Sequence, residues 1–228
     1  KFEKAYGRKT DLAKGITKVK ALNLCGDSIH AMLIDGENTV VSDPDKEHCE
    51  HALRSLKHLV VTDIFLTETA QLADVVLPAA CWGEVDGVCT NTERRVQRLR
   101  AAVPPPGEAK PDWWIIQQIA KKMGFDGYDW KTSEDVFKEL ARFTRNSRQD
   151  LAPLVKWAAL NNKSPYDVLR KRAATGYQLP LRLHDNKLIE TKRLHNPHVH
   201  IESGQGITVK LKRAGSFTKP SGKLILHK

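Results

Sequence analysis

Three short apolar runs, each halted by a polar or turn-forming residue, constrain this chain more than any other feature. DSIHAMLI at 27–34 stops at Asp35 and Gly36, LVV at 59–61 stops at Thr62 and Asp63, and ADVVL at 73–77 stops at Pro78. Between the first two lie a loop at 39–44 that closes on Asp43-Pro44 and then a stretch whose Ala52, Leu53 and Leu56 recur at helical spacing. A strand, a helix and a strand within about thirty residues match the length of a right-handed parallel crossover. The expected fold is therefore α/β, a Rossmann-like parallel sheet flanked by helices, with strands ending near Asp35, Asp63 and Leu77 and a helix over 45–56. In open sheets of this kind ligands bind outside the carboxyl ends of the strands.

Further elements follow from local signals. Thr67 is expected to cap a short helical turn at 67–72. Residues 95–103 alternate apolar and basic side chains like an edge strand, and PPPG at 104–107 forms a stiff connector. Asp112 is expected to cap a helix over 113–123, with an apolar stripe of Ile115, Ile116, Ile119 and Ala120 and a stop at Gly124. Ser133 opens a capping-box-like SEDV start for a helix over 134–143, and more helix is expected at 150–160 and 165–173. The first twenty-five or so residues carry no long periodic pattern, and the tail from Gly176 reads as irregular. The organisation is a sheet-bearing domain at 1–125 and a helical and irregular basic C-terminal extension at 126–228.

With 228 residues and 40% hydrophobic content, the chain can bury a sizeable core. No window approaches the ~18 apolar residues of a membrane span, and no secretory signal is visible, so a cytoplasmic location is expected. The opening Lys1 suggests a piece of a longer polypeptide. Cys25, Cys49, Cys81 and Cys89 form no C-x-x-C and no zinc spacing, the pattern of reduced intracellular thiols without a metal. His195, His198 and His200 surround Pro197 in a basic segment and read as an exposed loop. The net charge is +10. From Asp185 onward nine Lys and Arg stand against three acids, so six of those ten charges lie in the tail. Only Phe217 interleaves with them, too little aromatic surface for nucleic acid. A basic segment that docks on something acidic, such as the rest of its own protein, is the better fit.

Gly36-Glu37-Asn38 follows the first strand directly, and a glycine there serves either a plain turn or the close approach of backbone to a ligand. Asp63, about 27 residues beyond Gly36, occupies the strand end where an acid often takes a ribose hydroxyl or a base edge; otherwise it caps a helix or makes a loop salt bridge. A carboxylate can accept two parallel hydrogen bonds from the Watson–Crick edge of guanine, which makes Asp63 and Asp112 candidates for a guanine nucleotide. Gly83 and Gly87 bracket a turn into the polar knot at 90–95, where Arg94 and Arg95 beside Glu93 read as a surface ion pair. Trp113 and Trp114 read as core plus rim. G-x-G-x-x-G, the Walker loop and Ser/His/Asp or Cys/His arrangements are absent, so no catalytic residue is assigned.

Taken together, IDGENTVVSDPD (34–45), the run from LVVTDIFLTETAQLADVVLP through TNTERRVQ (59–97) and PPGEAKPDWWIIQQIAKKMGF (105–125) resemble the large catalytic subunit of molybdopterin oxidoreductases, in the formate dehydrogenase and nitrate reductase branch. The resemblance runs from residue 1 to about 130. Segments 176–182, 187–195 and 221–228 resemble the stretch preceding that family's final β-barrel domain, leaning towards nitrate reductase and arsenite oxidase.

The resemblance implies bis-molybdopterin guanine dinucleotide, carrying molybdenum or tungsten, with one guanosine arm held by this Rossmann-like domain. Implied contacts are Gly36, Glu37, Asn38, Thr62, Asp63, Thr67, Val85, Gly87 and Asp112. Thr39 replaces the proline of the family's G-x-N-P. The cysteine cluster for a 4Fe-4S centre and the Cys or selenocysteine metal ligand are expected in a part of the protein outside this sequence. The expectation is a central-to-late fragment or split subunit of a formate dehydrogenase, partnered by the rest of the oxidoreductase and an electron-transfer subunit. Alternatives are a nitrate reductase or arsenite-oxidase-like enzyme, and a non-catalytic scaffold related to the large subunit of complex I. Retention of Asp63, Asp112 and TNTERR argues against the scaffold.

Overall fold

A computed structural model describes residue 3, residues 15–191 and the backbone of three strands, Val199–Gly204, Gly206–Leu211 and Lys223–Leu226. The chain divides into two compact units. One comprises Lys1–Gly87 and Leu99–Phe143, the other Val88–Arg98 and Thr144–Lys228.

The first unit opens with α1 (Lys18–Leu22), capped by Thr17, whose hydroxyl accepts from Lys20 N. Five residues are too few for periodicity to reveal, and the sequence reading missed this helix. Then follow β1 (Ala31–Asp35), α2 (Thr39–Ser42), α3 (Lys46–Arg54), β2 (His58–Asp63), a 3-10 turn (Ala70–Leu72) and β3 (Val75–Pro78). The sheet has the order β1-β2-β3 and both pairings are parallel, with Asp35 opposite Thr62 and Thr62 opposite Leu77. The expected crossover is present. Two details differ. β1 begins at Ala31 because Gly26 N–H donates to Ile29 O and holds 26–29 in a turn. Residues 39–42 are helical, not loop, because Thr39 and Val40 are drawn into the core.

That core forms where two periodicities meet. Ile34, Leu59 and Val61 point from the sheet to the side on which α3 presents Cys49, Ala52 and Leu53, with Leu22, Val40 and Ala70 closing the edges. Asp45 caps α3 by accepting from His48 N at 3.0 Å.

The same unit continues through a single-residue parallel bridge between Ala79 and Lys110 into α4 (Asp112–Lys122) and α5 (Ser133–Thr144). Three expectations are corrected here. Pro111, with extended ψ of 141°, takes the N-cap of α4, so Asp112 lies in the first turn. The buried face of α4 is Ile115, Gln117 and Ala120, whereas Ile116 is 43% exposed. Gln117 is tolerated inside because its Nε2 donates to Trp130 O at 2.8 Å. The capping box of α5 is built one residue earlier than expected: Asp135 N donates to Thr132 Oγ1, and Thr132 N to Asp135 Oδ2.

In the second unit β5 (Arg95–Leu99) pairs between β4 (Gly87–Thr90) and β6 (Tyr177–Gln178). It is a middle strand, not the expected edge, and Val96 is fully buried. Helices α6 (Ala152–Leu160) and α7 (Pro165–Arg170) lie where they were expected. Among the described residues the tail is not irregular. β7 (Arg182–His184) and β8 (Lys187–Ile189) form a hairpin through Asp185 and Asn186, both with left-handed φ, and β9 (Val199–Gly204), β10 (Gly206–Leu211) and β11 (Lys223–Leu226) form an antiparallel sheet. The Asp-Asn turn and the alternation in GITVKL outweigh the glycine and proline punctuation. Of the loop expected at His195, His198 and His200, the first two lie outside the described residues, whereas His200 is in β9, where it pairs with Lys210.

Candidate functional site

Because β1, β2 and β3 run in parallel, their carboxyl ends fall on one edge. Asp35, Thr62 and Leu77 share one register position, and Asp63 lies opposite Pro78. The edge is extended by Lys110: Ala79 N donates to Asp63 O at 2.9 Å, Lys110 N to Pro78 O at 3.1 Å and Ala80 N to Lys110 O at 2.9 Å. Two residues later Asp112 opens α4. Four segments far apart in sequence thus end side by side, at a strand spacing of about 4.8 Å.

In the loop after β1, Gly36 has φ +65°, its N–H donates to Thr62 O at 2.8 Å, and a Cβ added there would meet nothing within 4 Å. Glu37 Oε1 accepts from Lys18 Nζ at 3.0 Å and Ser42 Oγ at 2.9 Å, and the Lys18 bond chiefly holds this carboxyl below its ordinary range. Asn38 Nδ2 donates to Glu68 Oε2 at 2.7 Å, while Asn38 Oδ1 accepts from Thr69 N at 3.2 Å and Thr69 Oγ1 at 2.9 Å. The side chains of Glu37 and Asn38 are therefore engaged within the protein. Lys18, Ser42 and Thr69 escaped the sequence reading, since no local spacing links Lys18 to Glu37 or Thr69 to Asn38.

In the loop after β2, Thr62 is buried and Asp63 is partly buried. Asp63 Oδ1 accepts from Ile64 N at 2.7 Å and more weakly from Phe65 N; Oδ2 has no hydrogen-bond partner among the described residues. Thr67 Oγ1 accepts from Ala70 N at 3.2 Å, a bond of the expected kind, but the N-cap position of the 3-10 turn itself is Thr69 because the regular turn begins only at Ala70. Val85 lies on the bend that leads into β4 and Gly87 is the first residue of that strand, where an added Cβ would meet nothing within 4 Å.

Asp112 is exposed, and its carboxyl accepts no hydrogen bond from the described residues. Its pKa is nevertheless raised, first by partial desolvation and then by the charge of Asp35. A helix N-terminus favours negative charge, so the surroundings override the helix. Carboxylates left unsatisfied in this way at a strand-end edge are suited to accept from a ligand's N–H or O–H groups. Among the described residues no three His, Cys, Asp or Glu side chains gather as metal ligands would, and no helix is long and apolar enough to cross a membrane.

Known proteins resemble this chain over part of its length. The F420-dependent formate dehydrogenase subunit alpha of Methanocaldococcus jannaschii is 54% identical over 61% of this chain and 21% of its own length. An iodate reductase subunit of Denitromonas iodatirespirans is 44% identical over 69% of this chain and 18% of its own. A nitrate reductase of Shewanella frigidimarina is 39% identical over 68% of this chain and 17% of its own. The chain thus spans about a fifth of the length of these relatives. The model of the family described as molybdopterin oxidoreductase matches residues 3–122, more than half of the chain, and the chain belongs to that family.

Proposed function

We propose that this chain is part of a molybdenum or tungsten formate dehydrogenase and holds one guanosine arm of bis-molybdopterin guanine dinucleotide at the carboxyl edge of its parallel sheet. Family membership implies a molybdopterin cofactor; the dinucleotide form and the metal belong to the proposal. The observation that carries it is the pair of under-used carboxylates, Asp63 Oδ2 and Asp112, at neighbouring segment ends. The residues fit the group: two acceptors suit the N–H donors of guanine, and the open side of Gly36 admits close approach to backbone. We assign the nucleotide-binding role to residues 1–125, with Asp63 and Asp112 on the base, Gly36 offering backbone, and Thr62, Thr67, Val85 and Gly87 lining the pocket.

When bound, the cofactor supplies two-electron redox chemistry at its metal. The residues of this chain bind and orient; none moves a proton or an electron. The partners we propose are the remaining domains or subunits of the oxidoreductase, including an electron-transfer subunit and a 4Fe-4S centre held elsewhere, in a reducing cytoplasmic compartment. The four free cysteines and the length of the relatives support this. Exposed Ile64, Phe65, Leu66 and Trp82 are apolar surface of the kind a larger protein covers.

The test is the guanine nucleotide content per protein of Asp63→Asn and Asp112→Asn in the complete enzyme, beside a thermal melt. Content should fall on the order of ten-fold, on the scale of a bidentate carboxylate–base pair, with the melt of Asp63→Asn unchanged. Unchanged content removes these residues from the site, and a collapsed melt makes Asp63 a cap of its own turn. A nitrate reductase is the second reading, favoured by the Shewanella relative. Turnover of formate against nitrate by the complete enzyme separates the two.

A further inference from the structure

The loops after β1 and β2 are tied at two points. One is the Gly36 N–H to Thr62 O bond at the strand ends. The other centres on Thr69, 0% exposed, whose hydroxyl accepts from Val40 N at 3.0 Å and donates to Asn38 Oδ1 at 2.9 Å, while Thr69 N donates to that same oxygen. Asn38 Oδ1 has two lone pairs and both are taken; its amide nitrogen has already given one hydrogen to Glu68. A side chain so committed has little left for a ligand.

Resting on the guanosine reading above, we propose that Thr69 and Asn38 are positioning residues, a latch that fixes the separation of the two loops flanking the nucleotide and leaves its recognition to neighbouring groups. Asn38 then matters through what it holds, not through what it touches. Thr69 reaches the site only through Asn38 and Val40. The outer bond, Asn38 to Glu68, lies at an exposed position, so it can be altered without entering the core.

The experiment uses the complete enzyme and reads bound guanine nucleotide per protein together with the melting temperature. Thr69→Val keeps the shape but loses the hydroxyl and should lower nucleotide content, whereas Thr69→Ser should retain it. At the exposed end, Asn38→Asp faces Glu68 with a like charge and should lower content roughly two- to five-fold, the low end of the range for a coupled neighbouring pair, as suits a solvated position. Adding Glu68→Gln exchanges donor and acceptor and should restore content. A merely structural role would move the melt and the content together and would not predict this recovery.

Wild-type content in Thr69→Val, loss of content in Thr69→Ser equal to that in Thr69→Val, or no recovery in the double variant each overturns the latch. Should Thr69→Val fail to fold, the exchange at 38 and 68 decides alone. If Asp63→Asn and Asp112→Asn leave content untouched, the guanosine reading falls; if they respond and the latch variants do not, only the latch falls.

Discussion

Asp112 stands in the first turn of α4, where free backbone N–H groups attract a negative charge, yet desolvation and the nearby Asp35 lift its carboxyl above the ordinary aspartate range. A carboxyl whose pKa is higher folded than unfolded binds its proton more tightly in the fold. Its contribution is then most favourable below the unfolded value and is lost as pH rises through the raised one. Asp112→Asn should therefore raise the melting temperature at neutral pH, and the gain should vanish below about pH 3, where aspartates are protonated in both states. Melts of the two proteins across pH check this; a constant difference at every pH would assign the effect to something other than charge. At this scale the sequence exposed the residues with chemistry and hid those with tertiary partners. Asp63 stood out by its position after an apolar run, and Asp112 by its type at the head of a helical stretch. Thr69 and Lys18 did not, because the loops that carry their partners meet only once the crossover has formed.

Among the elements, two glycines with the same dihedral show how differently one backbone requirement can be set. Gly36 and Gly176 both have φ +65°. A Cβ at Gly36 meets open space, but at Gly176 it would lie 2.7 Å from Val96 O and 2.6 Å from Gln97 Cγ. Gly36→Ala should cost about 1–2 kcal/mol from the left-handed conformation alone. Gly176→Ala should cost more, by roughly another 1–3 kcal/mol of crowding against backbone that cannot yield. Denaturant midpoints of the two variants rank them, and equal losses would contradict the crowding. Elements long enough to repeat their pattern were legible: β1, α3, β2, β3, α6 and α7 all lie close to where apolar spacing put them. Short or tertiary-fixed pieces were not. α2 depends on Val40 N reaching Thr69, the cap at Thr132 competes with an adjacent serine of equal propensity, and β5 becomes a middle strand only when β6 arrives from eighty residues away.

For the whole molecule, the link between β3 and α4 has a form that matters. Ala79 pairs with Lys110, and further out Ala102 N donates to Gly83 O at 2.8 Å, so the chain departs and returns through a two-rung stem. Everything from 84 to 101, including β4 and β5, is an excursion whose ends are already closed. Lengthening such a segment costs little, because closure free energy grows only with the logarithm of length. Insertion of about six Gly/Ser residues within the exposed turn at 92–93 of the complete enzyme should leave guanine nucleotide content within two-fold of the parent. A loss as large as that of Asp63→Asn would mean that the excursion helps to set the carboxyl edge. The stem is in effect a graft point: its two rungs fix where the chain re-enters on the way to Asp112, whatever length is carried between β4 and β5.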